Sequence, residues 1–190
     1  MTRLWLIRHG PTHAKSFVGW SDVPADLSDT ATLTALNHNL PKVPLVSSDL
    51  SRAITTADAI QSDRPRLPHD PRLRETNFGD WEGLTWAQVE ARDPQLTRGV
   101  FETPGEAAPP NGESWHALSA RVEAAIDALQ GDTIVVAHMG VILSLVQKAL
   151  NCAASDALAH EISPLSCTEI LRHGPWDQGT WELRRVNHFW

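Results

Sequence analysis

The sequence predicts an α/β fold, a three-layer sandwich with a mostly parallel central sheet and helices on both faces. Three observations carry the prediction. Strand-length apolar runs alternate with helical spacings along the chain, the pattern of βα units stacked into one sheet. The run TIVVA, Thr133–Ala137, is continuously β-branched before its final Ala, as expected of a strand covered on both faces. Two strand-like runs also end alike, in Arg8-His9-Gly10 and in His138-Met139-Gly140. In open α/β sheets the carboxyl edge of the strands is where ligands bind.

In chain order, Leu4–Ile7 is a short buried strand stopped by Gly10-Pro11, and residues 13–26 form a loop with Gly19, Asp22 and Pro24 as turn formers. Leu33, Leu36 and Leu40 space a helix over 27–40, with Ser28 or Asp29 as its N-cap. Pro44–Ser47 is a strand, and Ser48-Asp49 caps a helix from about Leu50 to Gln61 with Ala53, Ile54, Ala57 and Ile60 facing inward. Residues 62–83 read as extended pieces ending in GDWEG, followed by a short helix over 84–92 with Leu84 and Val89 inside. Residues 93–112, containing PGEAAPPNG, read as the least ordered part, a mobile cap segment. The longest helix runs to about Gln130 with Leu118, Val122, Ala125, Ile126 and Leu129 on one face. After TIVVA come helices over 141–150 and 154–160. Strands at 167–172 and 180–186 then pair as a hairpin across HGPWDQG.

Composition narrows the function. A length of 190 residues suits one domain, 1–190, with a cap-like insertion at about 76–115. The formal net charge of −7 argues against a nucleic-acid partner, which needs a basic footprint. No run is long enough for a membrane span, no signal peptide is legible, and Cys152 and Cys167 suggest no disulfide framework, so a cytoplasmic enzyme is expected. His9-x3-His13 has a ligand-like spacing, but Gly10-Pro11 prevents the helix that would align the rings, so no metal is expected.

If the strands ending at Arg8-His9, Ser47 and His138 share a sheet, their carboxyl ends gather two His and two Arg, because Arg52 lies in the first turn after Ser47. The helix N-terminus near Ser48 would add its dipole. Such a group of donors suits a phosphoryl group and its charged transition state.

RHGPT at 8–12, SSDLSRAITTA at 47–57 and VVAHMG at 135–140 together resemble the histidine phosphatase superfamily, the phosphoglycerate-mutase-like fold. The second Arg172-His173-Gly174 lies in the tail hairpin and reads as turn chemistry. The resemblance implies that His9 is a nucleophile phosphorylated on a ring nitrogen, that Arg8, Arg52 and His138 hold the phosphoryl oxygens, and that Thr12 orients the loop and touches phosphate. It implies no cofactor. It also implies that His9 attacks as the neutral imidazole, its other nitrogen donating to an acceptor such as a backbone carbonyl. The proton donor falls in LRETNFGDWEG, where the family pattern points to Glu75, with Glu82 as the runner-up. Pro11 and Lys15 depart from the family, which often has Glu and Asn there; Lys15 either substitutes as a cation or points to solvent. The chain is short beside a phosphoglycerate mutase, which favours a phosphatase over that alternative. RLWLIRHG, FGDWEG and NGESWHALSARVEAAI most resemble alpha-ribazole phosphatases, implying alpha-ribazole 5′-phosphate of cobalamin biosynthesis as substrate. The expected partner is a small phosphorylated metabolite, with a homodimer left open. Trp20, Trp86, Phe101 and Trp115 are candidate stacking surfaces for it.

Overall fold

The computed structural model describes residues 1–174 and 179–190. One five-stranded sheet has the order β2-β3-β1-β4-β5, made of β1 (Thr2–Arg8), β2 (Leu45–Ser47), β3 (Thr133–Ala137), β4 (Cys167–His173) and β5 (Thr180–His188). The pairs β1–β3 and β2–β3 are parallel, whereas β1–β4 and β4–β5 are antiparallel. Four strands therefore run in one sense and only β4 against them. The β4–β5 pairing is the expected hairpin, although residues 175–178 of its connection lie outside the described part.

Side chains alternate across the sheet with period two. Leu4, Leu6, Val135 and Ala137 pack on one face against α5 (Trp115–Asp127) and α6 (Met139–Leu150). Trp5, Ile7, Ile134 and Val136 pack on the other face with Leu33, Leu36, Ala53, Ala57 and Ile60 of α1 (Thr30–Asn39) and α2 (Ser51–Gln61). This produces the three layers, and it explains why β1 and β3 are apolar at consecutive positions. The short α7 (Ala154–Leu158) adds Ala154 and the partly buried Leu158 to the first layer.

Local signals explain several boundaries. Asp29 caps α1 by accepting from the Thr32 amide. The cap expected at Ser48-Asp49 is different: α2 starts at Ser51, whose amide donates to Asp22 at 2.8 Å, while Asp49 pairs with Arg74. A loop carboxylate therefore occupies that helix end, where the sequence suggested a free dipole for an anion. The helix expected over 84–92 is α3 (Trp86–Arg92), opened by a Thr85/Gln88 capping box. Within 93–112, expected to be the least ordered part, lies α4 (Pro94–Phe101). Asp93 accepts from the Leu96 amide and Pro94 opens the first turn, where proline costs no hydrogen bond. Among the described residues no helix is long and apolar enough to cross a membrane.

Candidate active site

The carboxyl ends of β1, β2 and β3 are stitched together by backbone bonds beyond the strands. The His9 amide donates to Ala137 O (3.0 Å) and the Ser48 amide to Val136 O (3.1 Å). Arg8 is held by the chain ahead of β4, its amide donating to Ser166 O, its carbonyl accepting from the Leu165 amide and its guanidinium donating to Ile162 O. Gly10 permits the tight exit, because a Cβ there would collide with Leu27 and the Asp26 carbonyl. Its amide donates to Thr56 Oγ1, whose hydroxyl donates in turn to Arg52 O.

His9 is 6% exposed, with Nδ1 2.7 Å from Gly10 O. A carbonyl can only accept, so Nδ1 carries the proton and Nε2 keeps the lone pair. Burial, aided by the Arg52 and Arg8 charges and opposed by the Gly10 hydrogen bond, lowers the pKa from 6.5 to about 3. At neutral pH this imidazole is uncharged.

Arg52 is fully buried. Two of its donors are committed to the preceding loop, Nη1 to Ser21 O (2.9 Å) and Nη2 to Gly19 O (2.6 Å). Burial lowers the pKa of both Arg8 and Arg52, and Glu75 raises both. His138 has zero exposure, its ring centre 5.0 Å from that of His9, and both of its nitrogens lack a partner, as does the buried Arg8 Nε. Burial, then His9 and the neighbouring arginines, pushes the His138 pKa well below the ordinary range. Arg8 Nε and the one N–H of the neutral His138 are unpartnered donors that an anionic ligand would satisfy.

Glu75 reaches the same place from an irregular segment. Its Oε1 accepts from the Thr76 amide (2.9 Å) and, at the start of α6, from the Gly140 amide (3.0 Å). The carboxylate thus sits at the positive end of α6. Glycine at 140 leaves the carboxylate its place, since a Cβ there would displace Glu75 Oε1 and crowd Thr76 Oγ1. The Glu75 carbonyl is held twice, by Trp20 Nε1 and Arg121 Nη2, and Arg121 also pairs with Glu113. Glu82 is elsewhere: its carboxylate accepts from the Gly19, Trp20, Ser21 and Phe78 amides and from Ser21 Oγ. Burial raises its pKa, but these donors together outweigh that and hold it low.

Arg8, His9, Thr12, Arg52 and Glu75 share the wall of one cavity of about 260 Å³, and His138 stands behind His9. The opposite wall is apolar and aromatic, with Phe17, Phe78, Phe101 and Trp115, helped by Leu143 and Leu158. Phe17 and Phe101 stack at 5.6 Å and 17°. Of the four stacking candidates, Phe101 and Trp115 reach the cavity; Trp20 instead braces Glu75, and Trp86 packs half-exposed on Phe101. Phe17 and Phe78 were missed, although each adjoins a motif, the opening loop and the NFGDWEG segment. Glu113 was missed too, in the NGESW stretch. Lys15 is exposed and off the wall, and Pro11 accepts from the Asp26 amide. His13 pairs with Asp26 at 2.8 Å on the surface. Arg172 of the second RHG lies at the end of β4 and pairs with Asp127.

Comparison with known proteins places this geometry in context. Residues 4–188 match the model of the histidine phosphatase superfamily (branch 1). The chain is 31% identical over 198 residues to the adenosylcobalamin/alpha-ribazole phosphatase of Escherichia coli K12, covering 97% of this chain and 90% of that protein. It superposes on mycobacterial glucosyl-3-phosphoglycerate phosphatase with a TM-score of 0.84 at 29% identity, covering 98% and 99% of the two chains. A putative alpha-ribazole-5′-P phosphatase from Escherichia coli K-12 gives 0.80 at 27% identity, covering 98% and 96%.

Proposed function

The chain belongs to the histidine phosphatase superfamily, branch 1, and is a phosphatase; from that premise we propose that it is a metal-independent phosphomonoesterase working through a phosphohistidine on His9. The observation that carries the reading is the buried, neutral His9 with Nδ1–H committed to Gly10 O. In the first step the Nε2 lone pair attacks phosphorus and the bond to the ester oxygen breaks. The departing oxygen takes a proton from Glu75, and Oε2 is the natural carrier because Oε1 accepts two amides at 2.9 and 3.0 Å whereas Oε2 accepts only the longer branch of the Gly140 amide, at 3.3 Å. Arg8, Arg52 and His138 meet the phosphoryl oxygens, with the Thr12 hydroxyl on the same wall. In the second step water gives its proton to Glu75 and attacks phosphorus, the P–N bond breaks, and phosphate leaves with His9 neutral again. His9→Ala should abolish phosphate release, and enzyme quenched in alkaline detergent, where a P–N bond survives, should carry label from a labelled ester. Full activity in His9→Ala, or activity removed by a chelator, would sink this mechanism.

The substrate we propose is alpha-ribazole 5′-phosphate, handled in the cytoplasm. Support comes from the relative that carries this name and from the aromatic wall, which suits a flat benzimidazole. Glucosyl-3-phosphoglycerate, a polyhydroxylated acid, would face those same rings and Glu113. The ratio of kcat/KM for the two esters decides the matter: a preference for the sugar acid overturns the assignment.

A further inference from the structure

The loop Gly19–Ser21 is packed between two charged side chains of opposite role. On one side its carbonyls at Gly19 and Ser21 accept from Arg52, at 2.6 and 2.9 Å. On the other its amides at Gly19, Trp20 and Ser21, with Ser21 Oγ at 2.6 Å, converge on the carboxylate of Glu82. Gly19 is required because a Cβ would strike the Thr76 carbonyl and Glu82 itself. Among the described residues, Arg52 has no carboxylate of its own in hydrogen-bond contact. Its guanidinium is oriented by the loop carbonyls, and the loop is shaped by Glu82.

We propose that Glu82 is a positioning residue for phosphoryl binding, setting the guanidinium of Arg52 through the Gly19–Ser21 loop. The inference rests on the phosphatase reading of the cavity. A carboxylate accepting five donors leaves no oxygen free to carry a proton, so Glu82 serves as a template rather than as an acid. Glutamine cannot replace it, because an amide nitrogen would face N–H groups that need an acceptor. The same loop braces the Glu75 carbonyl through Trp20, but Arg121 holds that carbonyl independently. Disturbing the loop should therefore reach the arginine before it reaches the acid.

The test compares Glu82→Gln, Arg52→Ala, the double variant and Glu75→Gln on aryl phosphates of graded leaving-group acidity, with inhibition by inorganic phosphate as a second readout. Glu82→Gln should lose about tenfold to a hundredfold in kcat/KM, equally for good and poor leaving groups, since misplacing a clamp by an ångström costs about that much. Its Ki for phosphate should rise about tenfold, the scale of a charge-assisted hydrogen bond. In the Arg52→Ala background the same change should cost less than about twofold. Ser21→Ala should show the same signature more weakly, and it carries the test if Glu82→Gln does not fold. A loss that shrinks with good leaving groups, as expected of Glu75→Gln, would make Glu82 an acid and overturn the proposal. So would normal kinetics with reduced thermal stability alone, or an undiminished loss in the Arg52→Ala background. If Arg52→Ala itself leaves turnover and phosphate affinity intact, the phosphatase reading of the site fails first.

Discussion

Gly140 shows how closely single residues set this site. It stands second in α6, donates its amide to Glu75 and, having no side chain, leaves room for that carboxylate. Gly140→Ala should push Glu75 off the helix end and lower kcat by about tenfold to a hundredfold in steady-state assays; an unchanged kcat would mean that the carboxylate relaxes freely. Residues such as His9, Arg8 and His138 are legible in sequence because they sit where an apolar run stops, and a strand end has a known relation to the ligand edge. Glu82 is not legible in that way. Its partners are backbone amides of a distant loop, and backbone amides carry no residue type to read. Lys15 is the converse, a charge at a position where the family often has Asn; of the two readings, a substitute cation or a solvent-facing side chain, its exposed place off the cavity wall fits the second.

Helices with a full apolar stripe, such as α5 and α6, were readable because burial imposes their spacing. The short α4 was not, since its eight residues contain Gly99 and are followed by a run rich in Pro and Gly, which dominates a composition-based reading. The local signal was nevertheless present in Asp93-Pro94, a cap followed by a helix-starting proline. Asp93 also ends α3, so one residue forms the joint between α3 and α4. Asp93→Ala should cost about 1 kcal/mol, seen as a fall of about 2–4 °C in Tm by thermal unfolding. Because α4 delivers Phe101 to the cavity, the same variant should raise KM for aromatic esters more than for small ones; equal effects on both would separate the helix from substrate binding.

Across the molecule, two imidazoles are kept neutral inside a protein whose unfolded chain would protonate them near pH 6.5. Both folded pKa values are lowered, so below 6.5 the unfolded state binds more protons and stability falls with acid. For His9 the loss runs from about pH 6.5 down to about 3, and it is absent above that window. Denaturant melts taken from pH 8 to 4 should show this decline, and His9→Gln should flatten it by removing one of the two groups. A slope unchanged in His9→Gln would show that other groups set it. The three-layer class was visible in the alternation of elements. The position of β4 was not, because the direction of a strand leaves no trace in its composition.

The central place of β1 has a consequence for how the protein comes into being. Leu6 pairs with Val135 on one side and Thr168 on the other, both far downstream in the chain, and Arg8 is gripped by residues near Ser166. During synthesis this apolar segment therefore waits with both edges open until the segments that form β3 and β4 have left the ribosome, a period in which a cell must shield it from other strands. Phosphatase activity should appear in a nascent chain only once the segment that forms β4 has emerged, so the motif at Arg8-His9-Gly10 is made long before it can function.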